Sequence, residues 1–149
     1  MSEEKSGFIV KFFDKAYEEK SILELVEAPV AAISGVSDAD AADLKKAFNI
    51  NTVEDLASNE NVLLAQAIEL FSDASGAVLD KKFESKEFKE LADKPAHAIA
   101  GISENDAALL KRAFGIDSIR ELAENKYVLV AQATVTLAEL VQFLIDEIF

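Results

Sequence analysis

Apolar residues recur along this chain at helical spacing. After Ala41, residues Leu44, Ala47 and Phe48 share one face of a 3.6-residue helix, and no stretch alternates convincingly with period two. The pattern predicts an all-α protein. Ser37-x-x-Asp40 and Ser103-x-x-Asp106 read as capping boxes, in which the serine oxygen accepts from an orphan N–H of the first helical turn. Thr52-x-x-Asp55 and Ser118-x-x-Glu121 repeat the device one helix later. Asn49 and Gly115 stand just past Phe48 and Phe114, where a left-handed C-cap is common. Pro29 and Pro95 end a leading helix or open the next one. From Val62 to about Phe71 the pattern predicts a long apolar helix, with a joint at residues 72–76.

The pattern occurs twice. Residues 29–48 align without a gap on 95–114, residues 62–67 on 128–133, and residues 12–17 on 78–83, all at an offset of about 66. That period lies just above the usual range of solenoid repeats, so two mini-domains and a two-unit stack both fit. The expected units are residues 1–76 and 77–149. Each runs from a leading helix through a short helix into a hairpin, a capped helix, a short capped helix and a long apolar one. Residues 144–149 repeat the apolar-apolar-Asp-charged-x-aromatic order of residues 12–17 and 78–83. The start of a third copy and a chance match in an amphipathic helix both account for it.

Composition narrows the function classes. Half of the 149 residues are hydrophobic, and with five glycines and two prolines long irregular segments are not expected. The ten phenylalanines, without any tryptophan, read as core filler. A net charge of −13 repels phosphate backbones and anionic lipid. It favours solubility, a salt-rich cytoplasm or a basic partner. There is no cysteine, so disulfide and thiolate chemistry are absent. The first residues lack the basic and apolar regions of a signal peptide, and a cytoplasmic location is expected.

Residues 127–149 are the most apolar stretch, yet they contain Glu139, Asp146 and Glu147, which are expensive inside a bilayer. They are expected to form a buried helix of a soluble protein, not a membrane span. Leu137, Leu140, Val141, Leu144, Ile145, Ile148 and Phe149 carry more apolar surface than a terminal helix can safely expose. That helix should pack back on the second unit or pair with another chain, as in a homodimer.

At residues 33–57 and 99–123 the chain reads apolar-x-Gly-apolar-Ser, then Ala-x-x-Leu, then Ile-x-Thr/Ser-apolar-x-x-Leu-Ala. This resembles the helix-hairpin-helix superfamily, in the form found in amino-terminal domains of RecA-like recombinases and related SAM-like helical domains. The resemblance covers about a third of the chain and implies fold more than function. In DNA-binding members the hairpin is Gly-apolar-Gly, and its N–H groups meet a phosphate with help from a nearby Lys or Arg. Here the matching residues are Gly35-Val36-Ser37 and Gly101-Ile102-Ser103, so the second glycine is serine in both copies. Asp38, Asp40 and Asp43 follow the first hairpin, and Glu104 and Asp106 the second. The first hairpin reads as disabled for DNA.

The second is more ambiguous. Residues 12–77 hold 4 basic and 13 acidic side chains, whereas residues 78–143 hold 9 and 11. Lys81, Lys82, Lys86, Lys89 and Lys94 precede the second hairpin, and Lys111, Arg112, Arg120 and Lys126 follow it. A solvated helix face with i,i+4 ion pairs is the preferred reading. The alternative is a nucleic-acid contact through Gly101, Ser103, Lys111 and Arg112.

No catalytic, metal or cofactor constellation stands out. His97 is the single histidine and reads as a surface or near-cap residue. The Asp38-x-Asp40-x-x-Asp43 run lacks the glycine and distal glutamate of a calcium loop, so helix-start electrostatics explain it better. No phosphate-binding glycine motif occurs. Gln66 and Gln132 each interrupt an apolar helix in Val-Leu-x-Ala-Gln-Ala, and a buried amide needs partners, so a structural anchoring role is expected. Together these features predict a non-enzymatic interaction or scaffold protein, with another protein as partner. The alternative is a nucleic-acid accessory protein working through its second hairpin.

Overall fold

The computed structural model describes residues 9–78 and 89–148. Over them the protein is all-α. Its helices are α1 (Ile22–Val26), α2 (Asp38–Phe48), α3 (Val53–Ser58), α4 (Glu60–Val78), α5 (Glu104–Phe114), α6 (Ile119–Glu124) and α7 (Lys126–Ile148). The short helices expected before each hairpin are single 3-10 turns, Val30–Ala32 and Ala96–Ala98, with Pro29 and Pro95 at their N-caps.

Local chemistry fixes these boundaries. Ser37 Oγ accepts from Asp40 N–H at 3.0 Å, and the Asp40 carboxylate accepts from Ser37 N–H at 3.1 Å. Thr52, Ser103 and Ser118 form the same reciprocal box, and a further one at Ser21 and Glu24 opens α1. α2 and α5 end on left-handed residues, Asn49 at φ 58° and Gly115 at φ 70°. Asn59 and Asn125 cap the long helices, each side-chain oxygen accepting from two N–H groups. Two backbone bonds of 3.0 Å, Val30 N–H to Asn51 O and Val53 N–H to Ala28 O, clip each hairpin to the turn before the short helix. Ala96 to Asp117 and Ile119 to Lys94 repeat them in the second half.

Packing is crosswise. α2 lies on α5, α4 of the first half lies on α6 of the second, and α7 of the second lies on α3 and α1 of the first. At the centre Leu44, Phe48, Ile50, Leu56 and Val62 come together with their own counterparts 66 positions on, from Leu110 to Val128. Most of these side chains are almost fully buried, which at ~1.5–3 kcal/mol each makes this shared layer the main source of cohesion. The reciprocal contacts relate the halves by an approximate two-fold axis, and each half covers the other.

Two local expectations change. Residues 72–76 do not form a joint, because α4 runs through them to Val78. Ser72 is buried there and its hydroxyl donates to Lys89 O at 2.9 Å. α7 is buried only along Val128, Ala131, Thr134 and Ala138, while Leu140, Phe143, Leu144 and Ile148 are exposed. It is long and apolar enough to cross a membrane. Residues 79–83 of the 78–83 match lie outside the described residues, as do the amino terminus, Lys81, Lys82, Lys86 and Phe149.

Candidate functional site

Three features could carry function: the hairpins, the polar groups that tie the halves together, and the outer face of the long helices. Both hairpin glycines have φ +98°, a conformation that side-chain-bearing residues rarely adopt. Their surroundings differ. A Cβ on Gly35 would lie 2.7 Å from Tyr127 Oη, and that hydroxyl donates to Gly35 O at 3.3 Å. Among the described residues, nothing beyond its own chain neighbours stands within 4 Å of a Cβ built on Gly101. Tyr127 corresponds to Asn61 in the first half, so this tyrosine has no counterpart at the second hairpin. Gly101→Ala is therefore expected to cost ~1–2 kcal/mol from backbone strain alone. Gly35→Ala should cost more, and the excess should vanish in a Tyr127→Ala background when unfolding free energies are compared in a double-mutant cycle.

Two of the N–H groups near the second hairpin are already engaged. Ser103 N–H donates to the Asp106 carboxylate at 3.4 Å, and Asp106 N–H to Ser103 Oγ at 3.0 Å. The nearby cations also hold carboxylates. Lys111 Nζ lies 2.7 Å from Asp117 Oδ1, which raises the lysine pKa. Arg112 grips the buried Asp43 with two donors, Nε at 3.0 Å and Nη2, and this hydrogen bonding holds the Asp43 carboxyl below its usual range. Arg120 donates to Asp73 at 2.8 and 2.9 Å, to Asp93 at 3.0 Å and to Glu69 at 3.4 Å. These partners stand 6 to 69 positions away in sequence, so the pairs are not the i,i+4 ladder expected of a solvated helix face. Arg112 and Arg120 reach across to acidic residues of the first half, which accounts structurally for part of the charge difference between the halves.

Glu69 faces Arg120 and Glu124, with Asp73 one turn along α4 and Asp93 on the other side of the guanidinium. Its carboxyl is pushed up to about 6, first by burial, then by the hydrogen bond and charge of Glu124, against the pull of Arg120.

Gln66 and Gln132 meet each other. Each Nε2 donates to the other's Oε1 at 2.8 Å, and each also donates at 3.1 Å to a carbonyl of the opposite half, Ala123 O for Gln66 and Ala57 O for Gln132. Those carbonyls lie in the last turns of α6 and α3. The two amides thus join the long helices on the two-fold axis and pin each to the short helix beneath it.

Beside the first hairpin a recess of about 320 Å³ is lined by Ile33, Ser34, Gly35, Lys126, Tyr127 and Val130, with Phe12 at its edge. Lys126 is the one charged residue of that lining, and its ammonium lies 5.0 Å from the centre of the Tyr127 ring. No set of acids, bases or nucleophiles converges there. His97 is exposed on its 3-10 turn. Among the described residues no group of three or more His, Cys, Asp or Glu is arranged to hold a metal ion.

The outer face of the long helices is apolar. On α4, Leu63, Ala67 and Leu70 share one exposed stripe, and on α7 Leu129, Ala133, Leu137, Leu140 and Leu144 do the same. Leu63 and Leu129, equivalent by the repeat, are each 48% exposed. The stripes flank the Gln66–Gln132 contact and point away from the core that Val62 and Val128 enter. On α7 this is the surplus apolar surface expected from the sequence at Leu137, Leu140 and Leu144; the stripe on α4 was not legible, because that helix has almost no polar side to distinguish inside from outside. Comparison with known protein families, with characterised proteins and with solved structures finds no match.

Proposed function

We propose that this chain is a non-enzymatic helical interaction or scaffold protein, in which degenerate helix-hairpin-helix units serve as framework and the α4/α7 face receives a partner. The observation that supports it is that face, exposed leucine-rich stripes on both long helices of a chain of net charge −13. Monomeric proteins rarely leave such a surface without a use. A nucleic-acid role through Gly101, Ser103, Lys111 and Arg112 draws less support, since Asp106, Asp117 and Asp43 already occupy the donors it would need.

Paired affinity capture tests the proposal, with the intact chain and Leu140→Asp as baits in a lysate of the source organism. Proteins retained by the intact chain and lost from the variant are the expected result. Equal recovery on both baits would refute it. The same preparation should show no salt-sensitive binding to DNA or RNA; a titration that weakens steeply with salt would transfer the support to the second hairpin.

A further inference from the structure

The repeat supplies an internal control for the recess beside the first hairpin. Its frame is common to both halves, since Ile33 and Gly35 are matched in the second by Ile99 and Gly101. Its polar groups are not. Ser34, Lys126 and Tyr127 correspond to Ala100, Glu60 and Asn61, so an ammonium lines this recess where the repeat elsewhere carries a carboxylate. On a chain of net charge −13 the lining holds a single charge, and it is positive. The walls are fixed by the fold. Ser34 N–H donates to Phe12 O at 2.7 Å and Asp14 N–H to Ala32 O at 2.8 Å, which ties the leading 3-10 turn, Ile9–Phe12, to the hairpin. The Tyr127 ring packs on Phe114 with centroids 4.8 Å apart, and its hydroxyl is held on Gly35 O. Lys126 opens α7 and lays its ammonium over that ring. Among the described residues no carboxylate pairs with this ammonium and no group bonds the Ser34 hydroxyl, whereas Lys111, Arg112 and Arg120 each hold carboxylates.

We propose that this recess binds a small carboxylate with a ring-sized apolar body, the carboxylate at Lys126 and the Ser34 hydroxyl, the body against Ile33, Val130 and the Tyr127 ring. Charge selects the class. One ammonium and one hydroxyl suit a single carboxylate. A phosphate dianion would leave a charge uncompensated on a strongly acidic chain, and a neutral molecule would gain nothing from the ammonium. Size selects the body. The volume of about 320 Å³ lies at the small end of the roughly 300–1,000 Å³ of small-molecule sites, whose linings are likewise mostly apolar with a few placed polar groups. Phe12 and Tyr127 in the lining favour a ring over a chain. Binding here does not depend on a partner at the α4/α7 face.

Titration of the full, isotope-labelled chain with phenylacetate at low ionic strength, followed by its amide resonances, tests this. Saturable shifts are expected at Ser34, Gly35, Tyr127 and Val130. Lys126→Glu, which installs the residue found at the equivalent position of the repeat, should weaken binding at least about tenfold. Ser34→Ala should weaken it about threefold to tenfold. Lys45→Glu, the same change of charge on the exposed side of α2, should leave the affinity unaltered. Phenylacetamide, of the same shape without the charge, should bind at least about tenfold more weakly. Should Lys126→Glu fail to fold, Lys126→Met provides the same readout. The absence of saturable shifts at millimolar phenylacetate would overturn the proposal. So would shifts centred elsewhere on the chain, an unchanged affinity in either recess variant, or equal binding of the amide.

Discussion

Replacing Gln66 with leucine is expected to lower the unfolding free energy by about 2–4 kcal/mol. The change removes two donated bonds and one accepted bond, leaving Ala123 O and half of the Gln132 amide without partners in a largely desolvated contact. Gln132→Leu should cost a similar amount, because it strands Ala57 O and the Gln66 amide in the same way. The double variant should cost clearly less than the sum, since either single change already breaks the shared pair. Urea unfolding of the four proteins measures this. A neutral Gln66→Leu, or an additive cycle, would mean that the amides do not couple the halves.

That an amide would anchor something was legible in the sequence, because Gln inside Val-Leu-x-Ala-Gln-Ala requires a partner. The partner itself was not. It is the equivalent residue of the other half, and nothing local in a repeat says whether two copies stand apart or interlock. The hairpin region shows the same division. Four capping boxes and two left-handed C-caps follow from residues three to five positions apart, and they form where the spacing puts them. Asp43 with Arg112, and Tyr127 with Gly35, join residues 69 and 92 positions apart and depend on the packing. Ser72 misled for a related reason. A run with Ser and Gly reads as a break, but the serine is held by a carbonyl beyond the helix.

Glu69→Gln is expected to stabilise the protein by about 1–2 kcal/mol at neutral pH and to change little near pH 4.5. The folded pKa of about 6 exceeds the ordinary 4.5, so the folded chain holds this proton more tightly than the unfolded one. The resulting stability is fully present below pH 4.5 and is lost as pH rises through 6. At neutral pH the ionised Glu69 lies against Glu124 and Asp73, and an amide relieves the repulsion while Asp73 and Asp93 keep Arg120. Asp43 and Asp73 act in the opposite direction. Arg112 and Arg120 hold their pKa values below 3.8, so their contribution is lost only in stronger acid. Thermal melts from pH 4 to 8 should show the wild type losing stability above pH 5 relative to the variant. Parallel profiles would exclude Glu69 as the source.

The crosswise packing also governs when the chain can become a protein. On a ribosome α3 emerges early, with Val53, Leu56 and Ala57 aimed at a helix that is not made until residues 126–148 follow. Its first half must therefore wait, apolar faces uncovered, through the synthesis of nearly all of the second. Most helical proteins fold quickly because their contacts are local. Here the side-chain hydrogen bonds that join the halves at Arg120, Gln66, Arg112 and Gln132 span 47 to 75 residues, so folding should be slow for an all-α chain and concentrated in one late step. During that delay the nascent first half is exposed to self-association, and a chaperone that holds unpaired apolar helices would have its longest opportunity to act.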